Sequence, residues 1–221
     1  AVAVKNHNNG IFNEKAHLQK KITIDDVLKS PIVADPLKFF DACPFSDGAA
    51  AAIIASEEFM NRNGLEKKIS VKGSGRSGGS GSLHTRENMS SLESTIRASR
   101  EALGQAGIAV KDLDFAEVHD CFTIAEIIAM EDLGIFDKGE AAKAVVEGRT
   151  ALKGEIPINP SGGLKSKGHP VGATGVGQIV EVFEQLTGKA GKRQVDNARI
   201  GLTHNVGATG GSCAVHIFES E

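Results

Sequence analysis

The chain has 221 residues, of which 40% are hydrophobic and 24% are charged, and its formal net charge is −3. This balance is typical of a globular protein with a real hydrophobic core. The charge gives no electrostatic reason to expect a nucleic acid or an anionic membrane as a partner. No apolar run in the sequence approaches the roughly 20 residues that cross a bilayer.

The three cysteines are Cys43, Cys121 and Cys213, which stand far apart and outside any C-x-x-C pair. This spacing argues against both a disulfide framework and a zinc site. We therefore expect no metal and a reducing, cytoplasmic compartment.

The first part of the chain predicts few regular elements. Residues 1–35 are polar and irregular, with one short amphipathic piece that ends at Pro31. The run SDGAAAAIIAS, residues 46–56, has the small apolar residues of a strand that is buried on both faces. A short helix, EEFMNRNG, and a strand candidate, KKISVKG, follow, and residues 74–88 form a long Ser/Gly loop.

The rest of the chain alternates between predicted helices and predicted strands. Helical spacing predicts helices over about 88–107, 123–134, 140–148 and 175–187, the second of them opened by a Thr-x-x-Glu capping box at Thr123. LDFAEVH predicts a strand, and ARIGLTHNV and SCAVHIFE predict two more, joined by GATGG as a hairpin. Strands that alternate with helices predict a layered α/β fold.

One glycine pattern imitates a nucleotide site. Gly73-x-Gly75-x-x-Gly78 has the spacing of the dinucleotide fingerprint and follows a strand candidate. The fingerprint requires a helix to open at once, but here the helical pattern begins only about ten residues later. A flexible surface loop is the favoured interpretation.

The stretch EVHDCFTIAE, residues 117–126, has a sharper pattern. Cys121 stands just before a predicted helix, where unpaired N–H groups and the helix dipole favour a thiolate. His119 lies two residues earlier and can donate or accept a proton. The pattern alone leaves a second interpretation open, in which Cys121 is a buried structural residue and His119 a cap.

Two glycine-rich stretches complete the set of motifs. GGLKSKGHPVGATG places Gly163 and Gly168 at the spacing of a phosphate-binding loop, but His169 and Pro170 stand where that loop has Lys and Ser or Thr. The stretch therefore presents an imidazole. THNVGATGGS has glycines that leave backbone N–H groups open, as an oxyanion hole requires.

Together, these stretches resemble the thiolase family, and HDCF is similar to the variant found in its sterol-carrier-type and archaeal members. The resemblance implies that His169 is the base for a nucleophilic cysteine and that His119 helps to hold the thioester oxygen, commonly with a water. It implies that Cys121 is the acid/base for the acyl α-carbon, because Asn205 occupies the place of the usual group. Gly207 would donate a backbone N–H to a second oxyanion hole.

VKNHNNGIFNEKAH and CPFSDGAAAAI also match family segments. From them and from the motifs, the resemblance implies that Cys43, Ser46, Phe122 and Gly168 lie along the bound coenzyme A. It implies no metal and no cofactor other than the coenzyme A thioesters that are substrates.

The resemblance implies a layered αβαβα thiolase fold, of which this chain supplies only a part. Residues 1–35 would be the remainder of the loop domain, 36–66 the last strand and helix of the N-terminal half, and 67–221 the C-terminal domain. No segment matches the one that carries the acylated cysteine. The chain begins without methionine, and we expect it to belong to a longer enzyme or to a split one with a second chain.

The expected activity is acyl-CoA C-acyl transfer, either condensation of two acetyl-CoA or thiolysis of a 3-ketoacyl-CoA. This chain alone would be inactive. The alternatives are a thiolase-like aldolase and a non-catalytic scaffold or lipid-carrying subunit. The family resemblance also implies an oligomer. It extends to enzymes that associate with a small zinc- and OB-fold-containing protein, sometimes with hydroxymethylglutaryl-CoA synthase.

Overall fold

The computed structural model describes residues 1–66 and 69–220. Short 3₁₀ turns connect several of its helices and strands. The helices are α1 Val2–Gly10, α2 Ile24–Lys29, α3 Glu57–Arg62, α4 Glu93–Ala106, α5 Thr123–Asp132, α6 Ala141–Val146, α7 Gly163–Ser166 and α8 Thr174–Leu186. The strands are β1 Ile32–Ala34, β2 Leu37–Lys38, β3 Ile69–Gly78, β4 Phe115–Glu117, β5 Ile200–Gly207 and β6 Ser212–Ser220.

The main sheet is mixed and has the strand order β3-β6-β5-β4. Strand β6 pairs antiparallel with both β3 and β5, whereas β4 and β5 run parallel. The carboxyl ends of two parallel strands lie at the same edge of a sheet, which is where ligands bind in open α/β sheets. The predicted site stretch HDCF begins two residues after β4 ends, and HNVGATGG covers the second half of β5 and the turn that follows it.

Helices cover both faces of this sheet. Helices α4, α5 and α6 pack on one face, where Val215, Ile217 and the buried Cys213 alternate along β6 as core residues. Helix α8 packs on the other face against Phe115 and Phe218. The three layers confirm the predicted α/β class, and Cys213 lies in the core as its alternating position on a strand predicts.

The later elements agree with their sequence patterns. Strands β5 and β6 form the predicted hairpin, with Gly207 opposite Ser212. Helix α4 ends at Gly107, whose φ of 68° places it in the left-handed conformation of a C-cap. Within the described part of the chain, no helix is both long enough and apolar enough to cross a membrane.

The glycines of the false nucleotide fingerprint lie in strand β3, so the prediction of a flexible loop over residues 74–78 is wrong. A Cβ on Gly73 would lie 2.0 Å from the carbonyl oxygen of Ala102, and one on Gly75 would lie 2.0 Å from that of Ala98. The glycines therefore let helix α4 approach the strand closely. The start of the strand candidate, at residues 67 and 68, lies outside the described residues.

The first segment is also more ordered than its polar sequence predicts. Helix α1 buries Asn6, His7 and Asn9. Asn6 donates to the carboxylates of Asp120 and Glu126 at 2.7 Å each. Polar side chains can be buried when they have such partners, and a hydrophobic period cannot reveal them.

The predicted buried strand over residues 46–56 is wrong in this structure. These residues form neither helix nor strand, and Ile53 and Ile54 are 100% and 79% exposed. A strand exists only when a neighbour pairs with its backbone, and the described sheet offers this segment none. The division of the chain at residues 35 and 66 remains a prediction, and its last domain begins at residue 67, outside the described residues.

Candidate active site

Two histidines from distant parts of the chain meet at the centre of the candidate site. His119 follows strand β4, and His169 follows α7 after Lys167 and Gly168. Their ring centroids lie 5.1 Å apart, with the ring planes at 84°. Both side chains are more than nine-tenths buried, so the structure brings together the two histidines that the motifs single out.

Burial sets the protonation of both imidazoles. It lowers the pKa of His119 to about 4, with a further contribution from the nearby His169. It also lowers the pKa of His169, with help from the positive charge of Lys167. An ordinary imidazole has a pKa of about 6.5, so both rings are neutral at pH 7. A neutral imidazole can accept a proton through one nitrogen and donate one through the other.

Cys121 lies two residues before α5, but its thiol is not activated in the way its position predicts. Burial raises the pKa of Cys121 to about 11, with smaller contributions from Cys43 and Asp120. The predicted thiolate is therefore wrong, because desolvation outweighs the dipole of a helix that starts two residues away. The thiol is protonated at neutral pH, which is the form that donates a proton.

The capping box predicted at Thr123 is also wrong. The Thr123 hydroxyl donates to Asp41 at 2.8 Å, and α5 has no side-chain cap. Glu126, the other half of the predicted box, is buried and lies 3.0 Å from the ammonium of Lys5. These contacts attach the start of α5 to the first part of the chain.

The segment around Cys43 lies against the HDCF turn. The backbone N–H of Cys43 donates to the carbonyl oxygen of Cys121 at 2.9 Å, and Ala42 forms an antiparallel bridge with Phe122. Burial raises the pKa of Cys43, whereas the Phe122 ring is 40% exposed. The structure thus groups Cys43 and Phe122 with Cys121. Their contact with coenzyme A remains a prediction.

Ser46 holds the backbone of the histidine loop. Its Oγ accepts the backbone N–H of His169 at 3.3 Å and lies 2.8 Å from Nδ1 of His17. Gly168 has a φ of 103°, and a Cβ there would lie 2.5 Å from Ser46 Oγ. Only glycine fits this approach. The structure gives Ser46 and Gly168 this contact with each other, and their coenzyme A contacts remain predictions.

Asn205 and Gly207 lie on strand β5. The Asn205 side chain faces the first turn of α8, because a Cβ on Gly175 would lie 3.6 Å from its Cγ and its amide donates to Gln178 at 3.3 Å. Gly207 ends the strand opposite Ser212. The role of each in catalysis remains a prediction.

A cleft of about 410 Å³ lies between the segment that follows Phe45 and the segment that follows His169. Residues 46–50 line one side of it and residues 170–173 the other. Pro170, the residue after His169, is part of this lining, whereas His169 itself is not.

Asp120 is a buried residue that the sequence analysis missed. Its carboxylate accepts the backbone N–H groups of Leu164 at 2.7 Å and Lys165 at 3.3 Å, and the Asn6 amide at 2.7 Å. Asp120 therefore ties the turn that carries His119 and Cys121 to helix α7, which leads to His169. An acidic residue between a His and a Cys gives no pattern that predicts this contact.

His204 was also missed. It is buried on strand β5, where its Nδ1 accepts the backbone N–H of His119 at 3.4 Å and its Nε2 lies 3.0 Å from the Thr95 hydroxyl. Burial lowers the pKa of His204 to about 3, so it is neutral and fixes the backbone at His119. The histidine is visible in the stretch THNVG. A single histidine on a strand has many structural uses, so the sequence does not predict this contact.

The described residues hold no group of three or more His, Cys, Asp or Glu side chains arranged to bind a metal ion. The polar groups of the site are instead two imidazoles, two thiols and backbone N–H groups. This donor set suits proton transfer and the stabilisation of oxygen charge.

Comparison with known proteins identifies the class. Residues 75–220 match the family model described as thiolase C-terminal domain-like, so the chain belongs to this family. The thiolase resemblance stated from the motifs is confirmed.

The relatives it matches are longer. The chain is 48% identical over 217 residues to the acetyl-CoA acetyltransferase of Methanothermobacter thermautotrophicus, covering 98% of this chain and 56% of that protein. It is 41% identical to the protein of that name from Methanocaldococcus jannaschii, with 97% and 56% covered. It is 39% identical to sterol carrier protein 2 of Rattus norvegicus, with 97% and 40% covered. The chain thus spans about half the length of these curated relatives.

The fold has a solved counterpart. The structure named Ltp2-ChsH2(DUF35) aldolase matches with a TM-score of 0.86 and 22% sequence identity, covering 99% of this chain and 57% of that chain. At this identity the match shows the fold alone. It confirms the expected thiolase-like α/β fold, of which this chain carries a part.

Proposed function

We propose that the chain is part of an acyl-CoA C-acyltransferase of the thiolase type. The enzyme would cleave a 3-ketoacyl-CoA with coenzyme A or, in reverse, condense two acetyl-CoA. The nucleophilic cysteine would come from an N-terminal half, on the same polypeptide or on a partner chain. Two of the relatives named acetyl-CoA acetyltransferase, at 48% and 41% identity, support this proposal.

The observation that carries the proposal is the pairing of His119 with His169 beside Cys121. The two neutral rings lie 5.1 Å apart, and Cys121 follows two residues after His119. Acyl transfer to a thiol needs a base for the nucleophile, a donor for the developing oxyanion and an acid/base for the α-carbon. We assign these three tasks to His169, His119 and Cys121, in that order.

In thiolysis, His169 would accept the proton of the nucleophilic thiol from the missing half. The thiolate adds to the keto carbonyl, and the bond to the α-carbon breaks. The electron pair of that bond passes to the departing acetyl-CoA as an enolate, and Cys121 gives the enolate its proton. N–H groups of His119 and Gly207 would hold the two oxygen charges. The thiol of coenzyme A would then give its proton to the Cys121 thiolate and attack the acyl carbonyl, and the departing enzyme sulfur would regain its proton from His169. Condensation is the reverse sequence.

The protonated state of Cys121 suits the thiolysis step. A thiol with a pKa of about 11 holds its proton at pH 7 until an enolate forms close to it. The enolate carbon is the stronger base, so transfer from the thiol is favourable.

A matched pair of cysteine variants tests the proposal. In the assembled enzyme, Cys121→Ala should lower thiolysis of acetoacetyl-CoA by at least a hundredfold, because the proton donor is lost. Cys213→Ala changes a core thiol that touches the Thr95 hydroxyl at 3.6 Å and has no proposed part in the proton transfers, so this variant should retain most of the activity. Equal activity in the two variants would overturn the role of Cys121. Thiolysis by the 221-residue chain alone would overturn the need for a second half.

An aldolase is the second candidate, because a structure named as an aldolase has the same fold. An aldolase breaks a carbon–carbon bond without acyl transfer, so it needs no base for a nucleophilic cysteine. Finding that the missing half presents no cysteine to His169 would support the aldolase. Trapping a radiolabelled acyl group on a cysteine of that half would support the thiolase.

A non-catalytic scaffold or lipid carrier is the third candidate, and the relatives named sterol carrier protein 2 are the reason to consider it. This candidate predicts that Cys121→Ala loses no turnover in the complex. The proposed partners are the missing half, further copies of the enzyme, and a small zinc- and OB-fold-containing protein with hydroxymethylglutaryl-CoA synthase. Co-purification with the chain from its own cells tests each of them.

A further inference from the structure

The hydroxyl of Thr174 contacts one ring nitrogen of His169. Thr174 is the first residue of α8, and it is 2% exposed. Its Oγ1 lies 2.7 Å from Nδ1 of His169. The same Oγ1 lies 3.1 Å from the carbonyl oxygen of Pro170, to which it donates.

The contact with Pro170, whose carbonyl oxygen also accepts the backbone N–H groups of Ala173 at 2.8 Å and Thr174 at 2.9 Å, is the observation from which we assign the proton of the hydroxyl. A carbonyl oxygen only accepts hydrogen bonds, and a hydroxyl has one proton. With that proton directed to Pro170, Thr174 Oγ1 can only accept from the ring. Nδ1 of His169 then carries the proton of the neutral imidazole, and Nε2 is left with a free lone pair.

Two other contacts act on His169, one on its ring and one on its backbone. His119 packs edge-on against the His169 ring, and Ser46 holds the His169 backbone N–H at 3.3 Å. Among the described residues, the Thr174 hydroxyl is the group that forms a hydrogen bond with a ring nitrogen of His169. This hydrogen bond therefore distinguishes Nδ1 from Nε2.

We propose that Thr174 is a positioning residue that keeps His169 in the tautomer with its proton on Nδ1, so that Nε2 is the nitrogen that takes a proton from a thiol. This inference rests on the proposed function for its catalytic meaning, but the tautomer itself is a property of the chain. The hydrogen bond from Thr174 Oγ1 to the Pro170 carbonyl oxygen uses the proton of the hydroxyl, so the hydroxyl acts as an acceptor toward Nδ1. A side chain of the same shape without the hydroxyl would leave both tautomers available.

The tautomer can be measured without any activity. The ¹⁵N chemical shifts and two-bond ¹H–¹⁵N couplings of a ¹⁵N-histidine-labelled chain at pH 7.5 distinguish the two neutral forms, and His169→Asn assigns the resonance by its disappearance. We expect the proton on Nδ1 in the wild type and in Thr174→Ser, which keeps the hydroxyl. Thr174→Val should give a detectable population with the proton on Nε2. A wild-type His169 with its proton on Nε2 overturns the proposal, and so does an unchanged tautomer in Thr174→Val.

If Thr174→Val does not fold, the tautomer of His169 can still be measured in the wild type and in Thr174→Ser. In the assembled enzyme, Thr174→Val should lower kcat at least tenfold with little change in the KM for acyl-CoA, and Thr174→Ser should restore it. A loss in KM alone would mean that Thr174 shapes the binding site, which contradicts the proposal. If the expected tautomer is found but no thiolase activity exists, the proposed function fails and the tautomer assignment stands.

Discussion

Gly163 is the position where one added methyl group should disturb the site most. It has a φ of 58°, and a Cβ there would lie 2.4 Å from Oδ2 of Asp120 and 2.8 Å from its Cγ. Gly163→Ala therefore has two costs. The left-handed backbone costs an alanine roughly 1–2 kcal/mol, and the clash displaces a buried carboxylate.

The displaced carboxylate has strong hydrogen bonds to lose. Asp120 accepts the Leu164 N–H and the Asn6 amide at 2.7 Å each, and a hydrogen bond to a charged group contributes roughly 1.5–3 kcal/mol. Losing one of them together with the backbone cost gives a destabilisation of about 2.5–5 kcal/mol. Whole domains have unfolding free energies of only about 5–15 kcal/mol, so the variant should be close to unfolding.

Equilibrium unfolding in urea, followed by circular dichroism, measures this change in the free energy of unfolding. Gly104→Ala is the matched control, because Gly104 lies in helix α4 with nothing within 4 Å of its Cβ position. Alanine should stabilise that helix by roughly 0.5–1 kcal/mol. If Gly163→Ala lowers the free energy of unfolding by less than about 1 kcal/mol, with Gly104→Ala as expected, the contact between Asp120 and α7 is not the link described above.

Three further predictions follow from the site and its sheet. Burial and the charge of Lys167 lower the pKa of His169, and the neutral base is the active form. The kcat/KM of the assembled enzyme should therefore fall with decreasing pH only below the ordinary imidazole pKa of about 6.5. A fall in kcat/KM that begins above pH 6.5 would contradict this prediction. The pKa of Cys121 is raised to about 11, so iodoacetamide should alkylate this thiol at pH 7 more slowly than it alkylates glutathione. Mass spectrometry of the Cys121 peptide measures the rate. Alkylation faster than that of glutathione would show that Cys121 is a thiolate. Gly75→Ala should lower the free energy of unfolding by about 1–3 kcal/mol, because its Cβ would lie 2.0 Å from the Ala98 carbonyl oxygen, whereas Gly81→Ala, with nothing within 4 Å, should change it little.

The parts of the fold that could be predicted are those whose burial leaves a period in the sequence. Helix α4 and the hairpin β5–β6 have one apolar face each, and their boundaries were found to within a few residues, except at the start of α4. Strand β3 has glycines where other strands have apolar side chains, because α4 presses on it. A close approach of two backbones leaves small residues, and small residues also look like a loop.

The site was found from its motifs, but its electrostatics were not. The position of Cys121 before a helix predicts a lowered pKa, and the structure gives a raised one because the thiol is buried. Burial depends on segments distant in the chain, such as the one around Cys43, whose N–H reaches the Cys121 carbonyl. Thr174 and Asp120 were missed for the same reason, since each acts through a contact that no local pattern contains.

The exposed apolar side chains of residues 45–56 bear on how the proposed missing half would stay together with this chain. Phe45, Ile53 and Ile54 are 88%, 100% and 79% exposed, and covering a side chain of this size contributes roughly 1.5–3 kcal/mol. The three together would give about 5–9 kcal/mol, whereas the loss of freedom when two separate chains associate costs about 4–15 kcal/mol. Fragment complementation through these side chains alone would therefore be weak. A covalent connection, which raises the effective concentration of one half around the other, would make the same contacts sufficient.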